Sequence, residues 1–223
     1  MMPNTSPPAE VAKIRAAIAS FFNTRHPNGR SIGSAKCGVY AFFDYDGEPI
    51  YVGQTVEGLR GRVGRHLTGR RSDAVGKFVL DPFEVLEIEV WPLFDAADLP
   101  PIKKKAFVNA IESTVYQKAL KSSQFGAVLN EAVPPHFKPV KLPQSSRGRI
   151  IPPDLYEERK HPDLRIARRA QTISSLARLI SERKVGKGLR KVLHVQSERL
   201  ASLAGKRLKE SSGEPEDVED VDE

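Results

Sequence analysis

Gly38-Val39-Tyr40-Ala41-Phe42-Phe43-Asp44-Tyr45-Asp46-Gly47-Glu48-Pro49-Ile50-Tyr51-Val52-Gly53 is the stretch on which the reading of this chain turns. Two apolar, aromatic runs, Gly38 to Asp44 and Pro49 to Gly53, flank Tyr45-Asp46-Gly47-Glu48. Aromatic and β-branched side chains suit a pleated surface, and an Asp-Gly step supplies the backbone freedom that a tight reversal needs. The segment predicts a β-hairpin.

Downstream of the hairpin, Gln54 to Gly58 is a connection. Leu59 to Leu67 then sets Leu59, Val63 and Leu67 at helical spacing and ends against Gly69. Phe83 to Trp91 alternates in the manner of a third strand. Pro100-Pro101 opens a helix to about Leu120, whose apolar positions Ala106, Val108, Ile111, Val115 and Ala119 repeat at helical spacing. Upstream, Pro8 to Phe22 reads as a short amphipathic helix and Asn23 to Lys36 as a loop.

Pro134 to Pro153 is rich in proline and basic residues and predicts a linker or extended arm. Asp154 to about Glu210 is helix-prone, with Leu164, Ile173, Leu176, Leu179 and Ile180 as its apolar face. It is also basic, carrying Arg165, Arg168, Arg169, Arg178, Arg183, Lys184, Lys187, Arg190 and Lys191. The expected fold is α/β (α+β): a small, mostly antiparallel three-stranded sheet flanked by helices, with an N-terminal helix and a helical C-terminal extension. The divisions are an N-terminal helix and loop (1–36), a central domain (37–133), a linker (134–153), a basic helical extension (154–210) and a disordered acidic tail (211–223).

Composition narrows the function. No stretch approaches the ~18 apolar residues of a membrane helix, and Met1 to Glu10 lacks the pattern of a secretory signal. Cys37 is the only cysteine, which excludes an internal disulfide and a multi-cysteine zinc site. A cytoplasmic location is expected. The net charge is +7, but Lys209 to Glu223 holds one lysine against eight acids, which leaves +14 on residues 1–208. Such a body attracts polyanions by phosphate contacts and counterion release.

Six residues stand in an order that carries chemistry. Tyr40 and Tyr51 lie on the two hairpin strands. Arg62 and His66 lie one turn apart on the following helix. Glu112 sits mid-helix between Ile111 and Val115, where a carboxylate is costly unless it has a partner or a metal. Asn130 follows in Leu129-Asn130-Glu131.

This order resembles the GIY-YIG nuclease superfamily over roughly residues 37–133. Gly38-Val39-Tyr40 and Tyr51-Val52-Gly53 stand for the two motif tripeptides, with Val39 and Val52 in place of isoleucines. The resemblance implies that Arg62 clamps phosphate, that Glu112 binds Mg²⁺ or Mn²⁺, and that Tyr40 or Tyr51 is the general base. His66 is then a proton carrier and Asn130 the polar residue closing the domain. The stretch between Tyr51 and Arg62 is about one residue longer than the family pattern, so Arg60 and Arg65 remain alternative clamps and phosphate contacts.

The implied activity is metal-dependent hydrolysis of DNA, of restriction type, with repair, recombination or mobile-element nicking as alternatives. Restriction would call for a homodimer to cut both strands. A non-catalytic nucleic-acid-binding module on the same scaffold is the reading of another class, and a basic scaffolding protein is a third. Arg147, Arg149, Arg183, Lys184, Lys187, Arg190 and Lys191 are the expected DNA contacts of the C-terminal part, against the plainer reading of a solvated extension packed on the core.

Overall fold

The computed structural model describes residues 9–67 and 81–212. Helix α1 (Ala9–Asn23) precedes strands β1 (Gly38–Phe43) and β2 (Pro49–Thr55), then α2 (Leu59–Leu67), β3 (Glu87–Pro92) and α3 (Pro101–Ser122). Strand β4 (Ser146–Arg149) and helices α4 (Pro153–Lys160), α5 (Pro162–Glu182) and α6 (Lys187–Ser211) follow. Pro8, the Gly69 stop and the acidic tail beyond Ser212 lie outside the described residues. Among the described residues no helix is long and apolar enough to cross a membrane.

The hairpin forms as its sequence predicts. Gly47 adopts φ 74°, the conformation for which glycine is suited, and Asp44 Oδ1 accepts from the backbone of Asp46 and Glu48 at 2.9 and 3.1 Å. Tyr40 pairs with Gly53 and Phe42 with Tyr51, with a register shift between Phe42 and Phe43. The sheet is antiparallel throughout, in the order β2-β1-β3-β4.

Four strands replace the expected three. The fourth comes from the segment read as a linker, and Ser146-Arg147-Gly148-Arg149 has no apolar alternation to announce it. It pairs because β3 offers an open edge, and because Arg147 and Arg149 both reach Glu87 on that edge, at 2.8 and 3.7 Å. The third strand is also shorter than predicted. Pro82–Glu84 is a 3-10 turn, with Asp81 accepting from Phe83 N at 2.9 Å, and pairing begins only at Glu87.

Alternation along β1 sends side chains into two cores. Tyr40 and Phe42 join Ile18 and Phe22 of α1, Leu59 and Val63 of α2, and Leu176, Leu189 and Val192 of α5 and α6. Val39, Ala41 and Val52 face Val108, Ile111 and Val115 of α3. The sheet thus lies between α3 on one side and the remaining helices on the other.

The C-terminal helices are fixed by charge as well as by apolar contact. Proline opens α4 and α5, and α6 begins after Gly186. Arg169 and Arg199 donate to Asp44 Oδ2 at 3.0 and 2.6 Å, and Arg168 and Arg169 donate to Glu84 at 2.7 and 3.1 Å. Arg165 donates to Asp46 through both terminal guanidinium nitrogens, Nη1 and Nη2. Arg165, Arg169, Arg199, Asp44 and Glu84 are all buried. The arginines that sequence alone groups with a basic face are therefore divided: in the first half of α5, Arg165 and Arg169 bind the hairpin turn and Arg168 binds Glu84.

Candidate active site at the β2 edge

β2 is an edge strand, and the candidate catalytic side chains gather around it from both faces of the sheet. Tyr40 and Tyr51 stack with ring centroids 6.3 Å apart. His66, from α2, lies 5.7 Å from the Tyr40 ring and 5.0 Å from the Tyr51 ring. It is buried. Spacing of four residues places Arg62 on the same side of α2 as His66.

The two motif glycines have steric causes. A Cβ at Gly53 would stand 2.6 Å from the Tyr40 hydroxyl, and one at Gly38 would stand 2.5 Å from Leu59 Cδ1. Gly53 thus lets the phenol cross β2, and Gly38 lets α2 seat against β1. These contacts convert a sequence motif into a requirement of packing.

Burial, the largest single influence on Arg62, opposes its charge, yet the neighbouring Tyr40 and Tyr51 phenols and Glu57 together hold its pKa above the ordinary value. On the opposite face, Gln54 Nε2 donates to Glu112 Oε2 at 2.9 Å and to Asn109 Oδ1 at 2.7 Å. Glu112 is 8% exposed. Burial pushes its carboxyl up to about 7, against the Gln54 hydrogen bond and the Arg62 charge, which both favour the ionised form. The Arg62 charge is felt at Glu112, so the two faces meet electrostatically at this edge.

Asn130 holds backbone. Its Oδ1 accepts from Val52 N at 3.0 Å and its Nδ2 donates to Val52 O at 2.7 Å, while Leu129 N donates to Ile50 O at 2.8 Å. The side-chain amide does for Val52 what a further strand would do, and so keeps an edge strand paired. This position fixes Tyr51 and Gly53 on either side of Val52.

The expected phosphate contacts are scattered. Arg60 turns away to Asn23 and the Phe22 ring, and Arg65 faces Glu57 at 3.8 Å. Arg147 and Arg149 lie on β4, three strands from β2, and engage Glu87, Phe43 and Tyr156. Arg183, Lys184, Lys187, Arg190 and Lys191 are exposed around the α5–α6 connection. That connection is near the site: a Cβ at Gly188 would overlap the carbonyl oxygen of Glu131, one residue beyond Asn130.

Sequence reasoning did not single out Gln54 or Asn109. The available signals were the position of Gln54 directly after Tyr51-Val52-Gly53 and of Asn109 one turn before Glu112.

Paired tyrosines on a hairpin, an arginine and histidine on the next helix and a glutamate beneath β2 define the class. Residues 36–110 match the family model described as the GIY-YIG catalytic domain, which supports membership of the GIY-YIG superfamily for this part of the chain. The match stops just short of Glu112, which the geometry supplies. No curated protein and no solved structure matches the chain.

Proposed function

We propose that the protein is a divalent-metal-dependent DNA endonuclease, of restriction type. The observation that carries this reading is Glu112: a buried carboxylate, tied by Gln54 to the strand edge where two phenols, a histidine and an arginine converge. A carboxylate held near neutrality at this depth is costly for stability and suited to a task.

A phosphodiester repels an incoming hydroxide, so hydrolysis needs a positive clamp, a base for water and relief of charge on the leaving oxygen. Arg62 supports the clamp role, having a planar guanidinium suited to two phosphate oxygens. Tyr40 and Tyr51 beside that charge suit a general base, since a neighbouring cation favours loss of a phenolic proton. His66, packed against both rings, is placed to receive or pass on the proton.

Among the described residues no three His, Cys, Asp or Glu side chains gather into a metal cage. One carboxylate nevertheless fits Mg²⁺ or Mn²⁺, because magnesium keeps several waters and takes the rest of its oxygens from substrate phosphate. Gln54 engages only Oε2 of Glu112, so Glu112 would be the protein ligand. Such an ion supplies charge neutralisation at the phosphate and leaving oxygen.

DNA binding is supported by the exposed basic connection between α5 and α6, seated beside Asn130–Glu131, and the restriction reading by the segments that flank the matched domain at both ends and offer surface for specificity contacts. Among the described residues Arg183, Lys184, Lys187, Arg190 and Lys191 form none of the ion pairs seen elsewhere in these helices. Cutting both strands would use a homodimer.

The test is incubation of the purified protein with supercoiled plasmid in Mg²⁺, Mn²⁺ or EDTA, alongside Glu112→Ala. Metal-dependent cleavage absent from the variant supports the reading, and discrete linear fragments support restriction over nicking in repair or mobile-element transfer. Intact DNA with retained binding would instead support the non-catalytic module.

A further inference from the structure

We propose that the cleft between α2 and the start of α3 is a second phosphate subsite, where Lys104 and Lys105 hold the backbone phosphate next to the one clamped by Arg62. The proposal rests on the nuclease reading only for the placement of that first phosphate.

The cleft has a volume of about 530 Å³, and Arg62, Gln54, Asn109, Lys104, Lys105 and Glu57 all line it. Its position is set by the site already described. Gln54 and Asn109, both lining it, are joined by a hydrogen bond, and Gln54 reaches on to Glu112. A strand whose scissile phosphate lies at Arg62 and Glu112 must continue into this space or away from it.

The charge of the walls favours entry. Three cations face one carboxylate, Glu57, which is 79% exposed and lies 3.8 Å from Arg65. Among the described residues neither Lys104 nor Lys105 forms an ion pair, although Arg165, Arg168 and Arg169 of α5 and Arg199 of α6 do. Lys104 is half-buried, so its charge is partly desolvated without a compensating anion from the chain. Phosphate is the anion that matches a cleft also lined by arginine and amides.

The rim points to a nucleic-acid strand rather than a free anion. Val56 lines the cleft and is 49% exposed, and Ile102, next to the cleft-lining Pro101 on the first turn of α3, is 86% exposed. Apolar groups beside cations suit sugar and base faces flanking a phosphodiester. They offer nothing to inorganic phosphate.

The experiment measures binding of a labelled DNA duplex by full-length Glu112→Gln protein across a salt series, using anisotropy. Lys105→Glu and Lys104→Gln are compared in that background, with Lys121→Glu at the far end of α3 as control. Each cleft variant is expected to weaken binding about tenfold and to lower the slope of log affinity against log salt by roughly one for each phosphate no longer neutralised. Lys104→Gln keeps a polar side chain of similar length, so it guards against misfolding as the cause. Wild-type affinity and slope in both variants would overturn the proposal. So would equal loss with Lys121→Glu, or inorganic phosphate competing as effectively as DNA. If wild-type protein cuts no DNA while both cleft variants lose affinity as stated, the subsite stands and the nuclease reading falls.

Discussion

Arg199 Nη2 donates to Asp44 Oδ2 across 2.6 Å, joining the last helix to the turn of the first hairpin. Both side chains are 2% exposed. Arg169 shares the same carboxylate oxygen at 3.0 Å, so one buried acid holds two helices. Removing one partner of a buried ion pair strands the other charge and typically costs about 3–5 kcal/mol. Asp44→Ala is therefore expected to lower unfolding free energy by that order, read from urea denaturation. A loss under about 1 kcal/mol would show that the cluster is not a structural tie.

Glu112 predicts a pH-dependent trade of stability for function. Its folded pKa is raised from 4.5 to about 7, so the folded protein holds this proton more tightly than the unfolded chain. The stability contributed is full below 4.5 and is lost as pH rises through about 7. Glu112→Gln keeps the shape without the charge. It should stabilise the protein at pH 8 by up to roughly 3 kcal/mol and have little effect at pH 4, while abolishing metal-dependent cleavage. Equal melting shifts at both pH values would contradict the assignment.

Asn130 is expected to affect structure as well as rate. Asn130→Ala leaves the Val52 N–H and carbonyl without their side-chain partner, a loss of about 1–3 kcal/mol. Faster amide exchange at Val52 than in wild type would accompany it. A loss of activity with melting and exchange unchanged would instead assign Asn130 a direct role in the reaction.

Gly53→Ala tests the close passage of the Tyr40 phenol. The added methyl would meet the hydroxyl at 2.6 Å, so the tyrosine or β2 must shift. Overpacking of this kind costs about 1–3 kcal/mol. Cleavage should fall at least tenfold at temperatures where the variant is folded, measured by single-turnover rates. Wild-type rates would mean that the position of the phenol is not critical.

The exposed basic connection makes a separate prediction for binding. Reversing Lys184 and Lys187 together should weaken affinity for unrelated DNA sequences alike and reduce the salt slope by about one for each phosphate left unneutralised. Reversing Arg147 and Arg149, which engage Glu87 on the far edge of the sheet, should leave both nearly unchanged.

The hairpin, the helices over Leu59–Leu67 and Pro101–Ser122, and the order of the six candidate residues are all legible in the amino-acid sequence. These are local matters. An Asp-Gly turn, a period of three to four and a run of strand formers act through neighbours in the chain, and so are visible without a fold. The fourth strand is different, since Ser146–Arg149 pairs by virtue of the edge it meets and not by its own pattern. The same holds for which arginines are buried, because Arg165, Arg169 and Arg199 differ from exposed Arg183 and Arg190 only in what lies opposite them. Folding also joins Gln54 to Glu112 and Asn130 to Val52. Burial and partner choice arise from contacts between distant segments, and a carboxylate acquires its perturbed pKa only when those segments exclude water around it.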